Sequence, residues 1–209
     1  MALPAPRQEL AGASCLLEIP EPPTPKGNNF TKGARWSPDG SVVLTVHDDA
    51  ILRLHHGVHD DQALAAVAAS SDERPAAPIV AYAEAAEGGA VLDFCFFPGF
   101  TLDCPPSCCF ITSSHDHPIH LRDAFAGALC NSYKPYNMVD EVCHATSLCF
   151  SQDGSRILGG FSQTIRFFDV QRPGRQVQDW ILSTRKGKGQ KGIIGALASS
   201  PYAAGLYAA

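Results

Sequence analysis

Apolar runs of four to six residues, broken by short polar turns, recur along this chain. Val43-Leu-Thr-Val runs into His47-Asp48-Asp49 and resumes through Ile51–His56. Phe110-Ile-Thr-Ser runs into His115-Asp116-His117 and resumes through Ile119–Asp123. Ile157–Phe161 runs into Ser162-Gln163 and resumes through Ile165–Asp169. Each segment predicts two antiparallel strands joined by a hairpin, because β-rich runs flank a few turn-forming residues. A third strand is expected upstream of each unit, ending near Ala34, Phe94 and Leu148. Trp36-Ser-Pro-Asp-Gly40 and Phe150-Ser-Gln-Asp-Gly154 then predict tight turns, with Gly supplying a positive φ and Asp bonding the backbone two residues on. The middle unit carries a reduced form, Phe96-Phe97-Pro98-Gly99, followed by an insertion over Phe100–Ser107.

Matched units starting at Val43, Phe110 and Ile157 predict an all-β repeat protein. The expected units cover about 30–60, 91–130 and 143–182, and a fourth starts within 192–209. Residues 61–90 are Ala-rich and read as an insertion loop, with helix-forming composition over Asp61–Ala69. Residues 1–29 read as a partly disordered extension.

Composition narrows the classes. The chain has 209 residues, 45% of them hydrophobic and 18% charged, so a core can form. Net charge −5 excludes an overall basic nucleic-acid binder but leaves room for a local basic patch. Eight cysteines are too few for a disulfide scaffold of this length, and reduced thiols are expected. Residues 1–20 lack the basic start and apolar run of a secretory signal. The uncharged tail Gly192–Ala209 follows four basic residues, but its Gly, Ser and Pro content argues against a membrane anchor.

Three chemistries compete. Cys104, Cys108, Cys109, His115, His117 and His120 offer zinc ligands, though their spacing is loose and Cys108-Cys109 opens an apolar strand. Gly187-Lys-Gly-Gln-Lys-Gly192 spells a dinucleotide fingerprint, but no acidic residue follows Asp179. Asp140-Glu141 beside His144 is an acidic pair near a histidine, and reads as solvated charge. The basic stretch is the strongest feature. Residues 171–191 hold Arg172, Arg175, Arg185, Lys186, Lys188 and Lys191 against Asp179 alone, a net of +5 on an otherwise acidic chain. Such a stretch engages phosphates by counterion release, and Trp180 within it offers either a stacking surface or a core residue. Arg53 and Arg166 occupy equivalent strand positions and are further candidate RNA contacts. No nucleophile constellation is present, so no catalysis and no cofactor are expected.

The repeat pattern resembles WD repeats, although the units end in His55-His56, Arg122-Asp123 and Phe168-Asp169 rather than Trp-Asp. Longer strings resemble the telomerase Cajal body protein family. They are Phe30–Ser41, Asp49–Leu54, Pro118–Leu129, Tyr136–Glu141, Ser147–Ser155, Arg172-Pro-Gly-Arg175 and Gln190–Ile194, in that order. In Pro118–Leu129, which resembles the family's second blade, Arg122 stands where the family has Trp before the Asp. The resemblance implies a WD-repeat β-propeller, here incomplete, with about three blades and the start of a fourth. It implies a nuclear, Cajal-body scaffold that binds small Cajal-body RNA of the H/ACA class with its RNP proteins, and telomerase RNA. It also implies protein partners on the propeller faces, and neither catalysis nor membrane attachment. The alternative is a WD-type protein-interaction scaffold with no RNA role; a zinc metalloenzyme is the remote one.

Overall fold

The computed structural model describes residues 17–18, 29–57, 77–78, 80–183 and 189–209. The chain divides into two compact units. One comprises Met1–Pro20 and Val58–Val80. Its described part is a parallel pair, β1 (Leu17–Glu18) with β5 (Ala77–Pro78). The N-terminal extension otherwise lies outside the described residues, as does the helix-forming stretch Asp61–Ala69.

The other unit, Glu21–Gly57 with Ala81–Ala209, holds the repeated sheets. The first sheet has the order β2 (Thr31–Trp36), β3 (Val42–His47), β4 (Ile51–His56), β6 (Ala83–Ala86). The second has β7 (Val91–Phe96), β8 (Cys109–Ser114), β9 (Ile119–Asp123), β10 (Leu129–Lys134). The third has β11 (Ser147–Phe150), β12 (Arg156–Gly160), β13 (Thr164–Asp169), β15 (Gln178–Ile181). Within each set of four, every pairing is antiparallel. A final pair, β16 (Ala198–Ser199) with β17 (Tyr207–Ala208), lies where the fourth unit was expected. The expected uncharged tail therefore forms strand and turn. Among the described residues no helix is long and apolar enough to cross a membrane.

Period-two packing explains why the middle strands read as nearly unbroken apolar runs. Successive strand residues face opposite sides of a sheet, and both faces here meet a neighbouring sheet. Phe110 joins Leu44, Leu52 and Leu54 in the cluster between the first and second sheets. Its neighbour Ile111 joins Leu148, Phe150 and Ile157 in the cluster between the second and third. Phe168 belongs to that second cluster, whereas Phe167 turns the other way, towards Ile194 and Tyr207.

Two findings depart from the sequence expectation. The fourth strand of the first sheet, β6, comes from inside the Ala-rich span read as loop. Its Ala85 is buried, and pairing with β4 sets its conformation, overriding the weak strand propensity of Ala. A short strand, β14 (Gly174–Arg175), leaves the third repeat and pairs in parallel with β10 of the second sheet.

The aspartate turns form as their residues predict. Gly40 and Gly154 adopt φ of 73° and 69°. Asp39 accepts hydrogen bonds from the Ser37 hydroxyl at 2.6 Å and the Ser41 amide at 3.0 Å. Asp153 repeats this with Ser151 at 2.6 Å and Ser155 at 3.1 Å. Those bonds hold the Asp153 carboxyl down at about 2.

Candidate nucleic-acid interface

Register places three side chains at one position of the repeat. Thr45 pairs with Arg53, Thr112 with His120, and Gly159 with Arg166. Their surroundings differ sharply. The Arg53 guanidinium donates from Nε to Glu84 at 3.0 Å and from Nη2 to Asp49 at 2.8 Å. Two carboxylates therefore match one buried cation. Burial opposes the charge on Arg53, but the Asp49 and Glu84 contacts outweigh it and raise its pKa.

His120 and Arg122 serve a network that sequence reasoning missed. Its centre is Glu87, in the connection between the first and second sheets, with only 1% of its side chain exposed. Glu87 accepts from Thr112 Oγ1 at 2.6 Å, Arg122 Nε at 2.8 Å and His120 Nδ1 at 2.9 Å. Burial pushes its carboxyl up, yet these bonds and the Arg122 charge win and hold it at about 2. Arg122 also donates to the carbonyls of Ala86 and Gly127. The arginine at the Trp position of the repeat thus neutralises a buried glutamate. No local signal marks Glu87, which sits in an Ala- and Gly-rich run.

Asp93 was missed as well. It ties three sheets together at their first strands. Arg35 of β2 donates to its Oδ1 at 2.7 Å, and the Leu148 amide of β11 donates to its Oδ2 at 2.6 Å. Arg35 also donates to the Phe94 carbonyl and lies over the Phe94 ring at 4.8 Å.

Arg166 is the exception among the three equivalent positions. It is buried and lies over the Phe161 ring at 4.2 Å. Nη1 donates to Cys143 Sγ at 3.1 Å. Asp179 stands 3.8 Å from Nε, too far to hydrogen-bond, and Nε has no hydrogen-bond partner. One distant carboxylate is weak compensation for a buried guanidinium. Burial also pushes the Cys143 thiol pKa up despite the Arg166 charge, so it does not supply a second anion.

This guanidinium lines a cleft of about 570 Å³ between the second and third sheets. One wall is the loop 136–142, closed by a Tyr136–Val142 bridge, with Asn137 Oδ1 accepting from the amides of Val139 and Glu141. Met138 at its tip is 96% exposed. The other wall carries Thr164, Asp179 and Ile181, with Ser162, Gln163 and Ser183 beside them. Arg175 stands at the rim, donating to Asp140 at 2.6 Å and lying 4.8 Å from the Tyr136 ring centre. Gln176 completes the seam, exchanging two hydrogen bonds with the Tyr136 backbone.

The remaining candidates separate. Arg172 is exposed, 3.8 Å from Asp169. Lys191 is exposed. Arg185, Lys186 and Lys188 lie outside the described residues, as does most of the glycine fingerprint. The residues flanking that stretch, Ser183 and Gly189, form an antiparallel bridge, and Ser183 lines the cleft. Trp180 is on the opposite face of β15 from Asp179 and Ile181. Its ring packs edge-on against Phe167 at 4.5 Å and Tyr207 at 6.0 Å, at the margin of the apolar cluster and away from the cleft. The zinc set does not assemble among the described residues. His120 is held by Glu87, and the Cys108 thiol donates to the Thr101 carbonyl at 3.1 Å.

No protein-family model matches the chain. Telomerase Cajal body protein 1 of Rattus norvegicus is 37% identical over 186 residues, which is 87% of this chain and 34% of that protein. The homolog of Drosophila melanogaster is 35% identical over 156 residues, 74% of this chain and 28% of that protein. Among solved structures, Chaetomium thermophilum Sqt1 superposes with a TM-score of 0.53 at 15% identity, covering 80% of this chain and 38% of its own. That likeness concerns the fold alone, an all-β propeller built of four-stranded sheets. Over most of its own length this chain is homologous to telomerase Cajal body protein 1, and it spans about a third of the length of those relatives.

Proposed function

We propose that this chain is an RNA-binding WD-repeat scaffold acting in the nucleus to direct H/ACA small Cajal-body RNPs, and the telomerase RNP, to Cajal bodies. The observation that supports it is Arg166, a buried guanidinium with an unpaired donor, opening on a polar cleft. A phosphate of single-stranded RNA in that cleft supplies the missing negative charge and acceptor. Arg175 and Tyr136 frame the entrance, and Ser183, which lines the cleft, bridges to Gly189 across the stretch that bears Arg185, Lys186 and Lys188, with Lys191 following. Those four charges add affinity without sequence preference, whereas the cleft selects an unpaired loop. Arg53 is fully matched by carboxylates and takes no phosphate in this reading.

Filter binding tests it, using an H/ACA Cajal-body RNA and a control with its recognition loop mutated. Preferential binding of the intact RNA is expected. Neutralising Arg185, Lys186, Lys188 and Lys191 lowers the log–log salt slope by about 3, at ~0.7 per single-strand phosphate contact. Arg166→Gln removes the preference for the intact loop while leaving most of the salt slope. Equal binding to both RNAs overturns specific recognition. Unchanged protein-partner capture with no RNA binding identifies a protein-interaction scaffold instead.

A further inference from the structure

Two features that RNA binding does not use converge in the structure. One is the His115-Asp116-His117 turn between β8 and β9. The other is His144, in the connection from the second sheet to the third. His115 Nδ1 lies 2.9 Å from Asp116 Oδ2, and His144 Nδ1 lies 3.4 Å from Asp116 Oδ1. The two imidazole rings face each other at 4.4 Å between centroids. One ligand atom from each of the three residues lies within 4.8 Å of the others.

Both rings turn a nitrogen towards the Asp116 carboxylate, one to each oxygen. Two imidazoles and a carboxylate that converge from two separate segments form the kind of donor set that holds a metal ion. We propose that His115, Asp116 and His144 bind a divalent cation of the zinc class, with water completing the shell.

Ligand chemistry and geometry agree. Two imidazoles and one carboxylate suit a borderline ion such as Zn²⁺ and disfavour Mg²⁺ or Ca²⁺, which take oxygen. Bonds of about 2.05 Å in a tetrahedron put ligand atoms about 3.3 Å apart, and ligand atoms of the three residues already lie within 4.8 Å of one another, so a small closure of the exposed turn seats the ion. The three residues are 57%, 75% and 29% exposed, so the ion reaches them from solvent and an open position remains. His117 is not part of the set, because its ring does not converge with the other three residues. A bound ion staples the β8–β9 turn to the segment entering the third sheet. That segment is already tied to β8 by the Ser113 hydroxyl on the Ala145 carbonyl.

Equilibrium dialysis of the 209-residue chain against Co²⁺ and Zn²⁺, with visible absorption of the cobalt form, tests this. One equivalent is expected, with a d–d band and no thiolate charge-transfer band. His144→Asn and Asp116→Asn each weaken binding at least about ten-fold, since even outer-shell losses cost roughly 10–100-fold. His117→Asn leaves binding unchanged, and circular dichroism confirms that the variants fold. A thiolate band, no binding above background, or equal binding by a His115→Asn/His144→Asn double variant overturns the proposal.

Discussion

Replacing Glu87 with Gln keeps the shape of the side chain and removes its charge. The consequence follows from what surrounds it. Glu87 is nearly fully buried and accepts four hydrogen bonds, from Thr112, Ser114, His120 and Arg122. An amide retains one acceptor oxygen and turns an NH₂ towards groups that are themselves donors. The Arg122 cation, itself largely buried, loses its counter-charge. Breaking one partner out of a buried ion pair costs about 3–5 kcal/mol. A second route leads to the same scale. The carboxyl sits at about 2 against 4.5 for a free glutamate, and each pKa unit is worth about 1.4 kcal/mol, giving about 3 kcal/mol. The folded value is depressed, so this stabilisation is complete above the unfolded value near 4.5. It fades as pH falls from there towards about 2. Urea unfolding followed by circular dichroism, repeated from pH 7 to pH 3, reads both effects. Glu87→Gln is expected to lose about 3 kcal/mol at pH 7, with the gap from the parent chain closing below pH 4.5. A gap under about 1 kcal/mol at pH 7, or one that does not change with pH, refutes the reasoning.

Further outcomes follow from other contacts. Asp93→Ala strands the buried Leu148 amide, at an expected loss of about 1–3 kcal/mol, and removes the half-exposed Arg35 pair, worth at most about 1 kcal/mol. Its double-mutant cycle with Arg35→Ala should show a coupling of at least about 0.5 kcal/mol in urea midpoints, and strict additivity would contradict the shared contact. Gly40 and Gly154 share a left-handed backbone, but a Cβ at Gly40 meets nothing within 4 Å, whereas one at Gly154 comes 2.3 Å from the Phe97 ring. Gly40→Ala should therefore cost only about 1–2 kcal/mol of backbone strain, and Gly154→Ala a further ~1–3 kcal/mol from overpacking. Burial pushes the Cys109 and Cys149 thiols up to about 12, so alkylation of the native chain at pH 8 should label exposed Cys104 and Cys130 well before them, as read by mass spectrometry.

Much of the fold is legible in the primary structure because its information is local. A β-rich run, a polar turn and a second run specify a hairpin wherever they occur. The aspartate–glycine turns close through residues two apart, Asp39 with Ser41 and Asp153 with Ser155. The equivalence of Arg53, His120 and Arg166 also follows from counting along the repeat, and the strand register bears it out. The basic stretch is legible by charge alone, since net charge needs no coordinates.

The fate of each charge depended instead on partners remote in sequence. Arg53, His120 and Arg166 look alike along the chain. Of the three, Arg166 keeps a buried donor without a hydrogen bond, because Glu84 and Asp49 reach Arg53, Glu87 reaches His120, and Asp179 stays 3.8 Å from the Arg166 Nε. Asp93 is an unremarkable acid in its strand until Arg35 and Leu148, 58 and 55 residues away, converge on it. The alanines of β6 carry no strand signal and become one by pairing with β4. His115, grouped with cysteines by proximity in sequence, meets Asp116 and the distant His144 once the sheets stack. Hydrophobic periodicity encodes which residues turn inward, whereas the neutralisation of a buried charge is a pairwise electrostatic matter, settled by whichever group the packed sheets bring within a few ångströms.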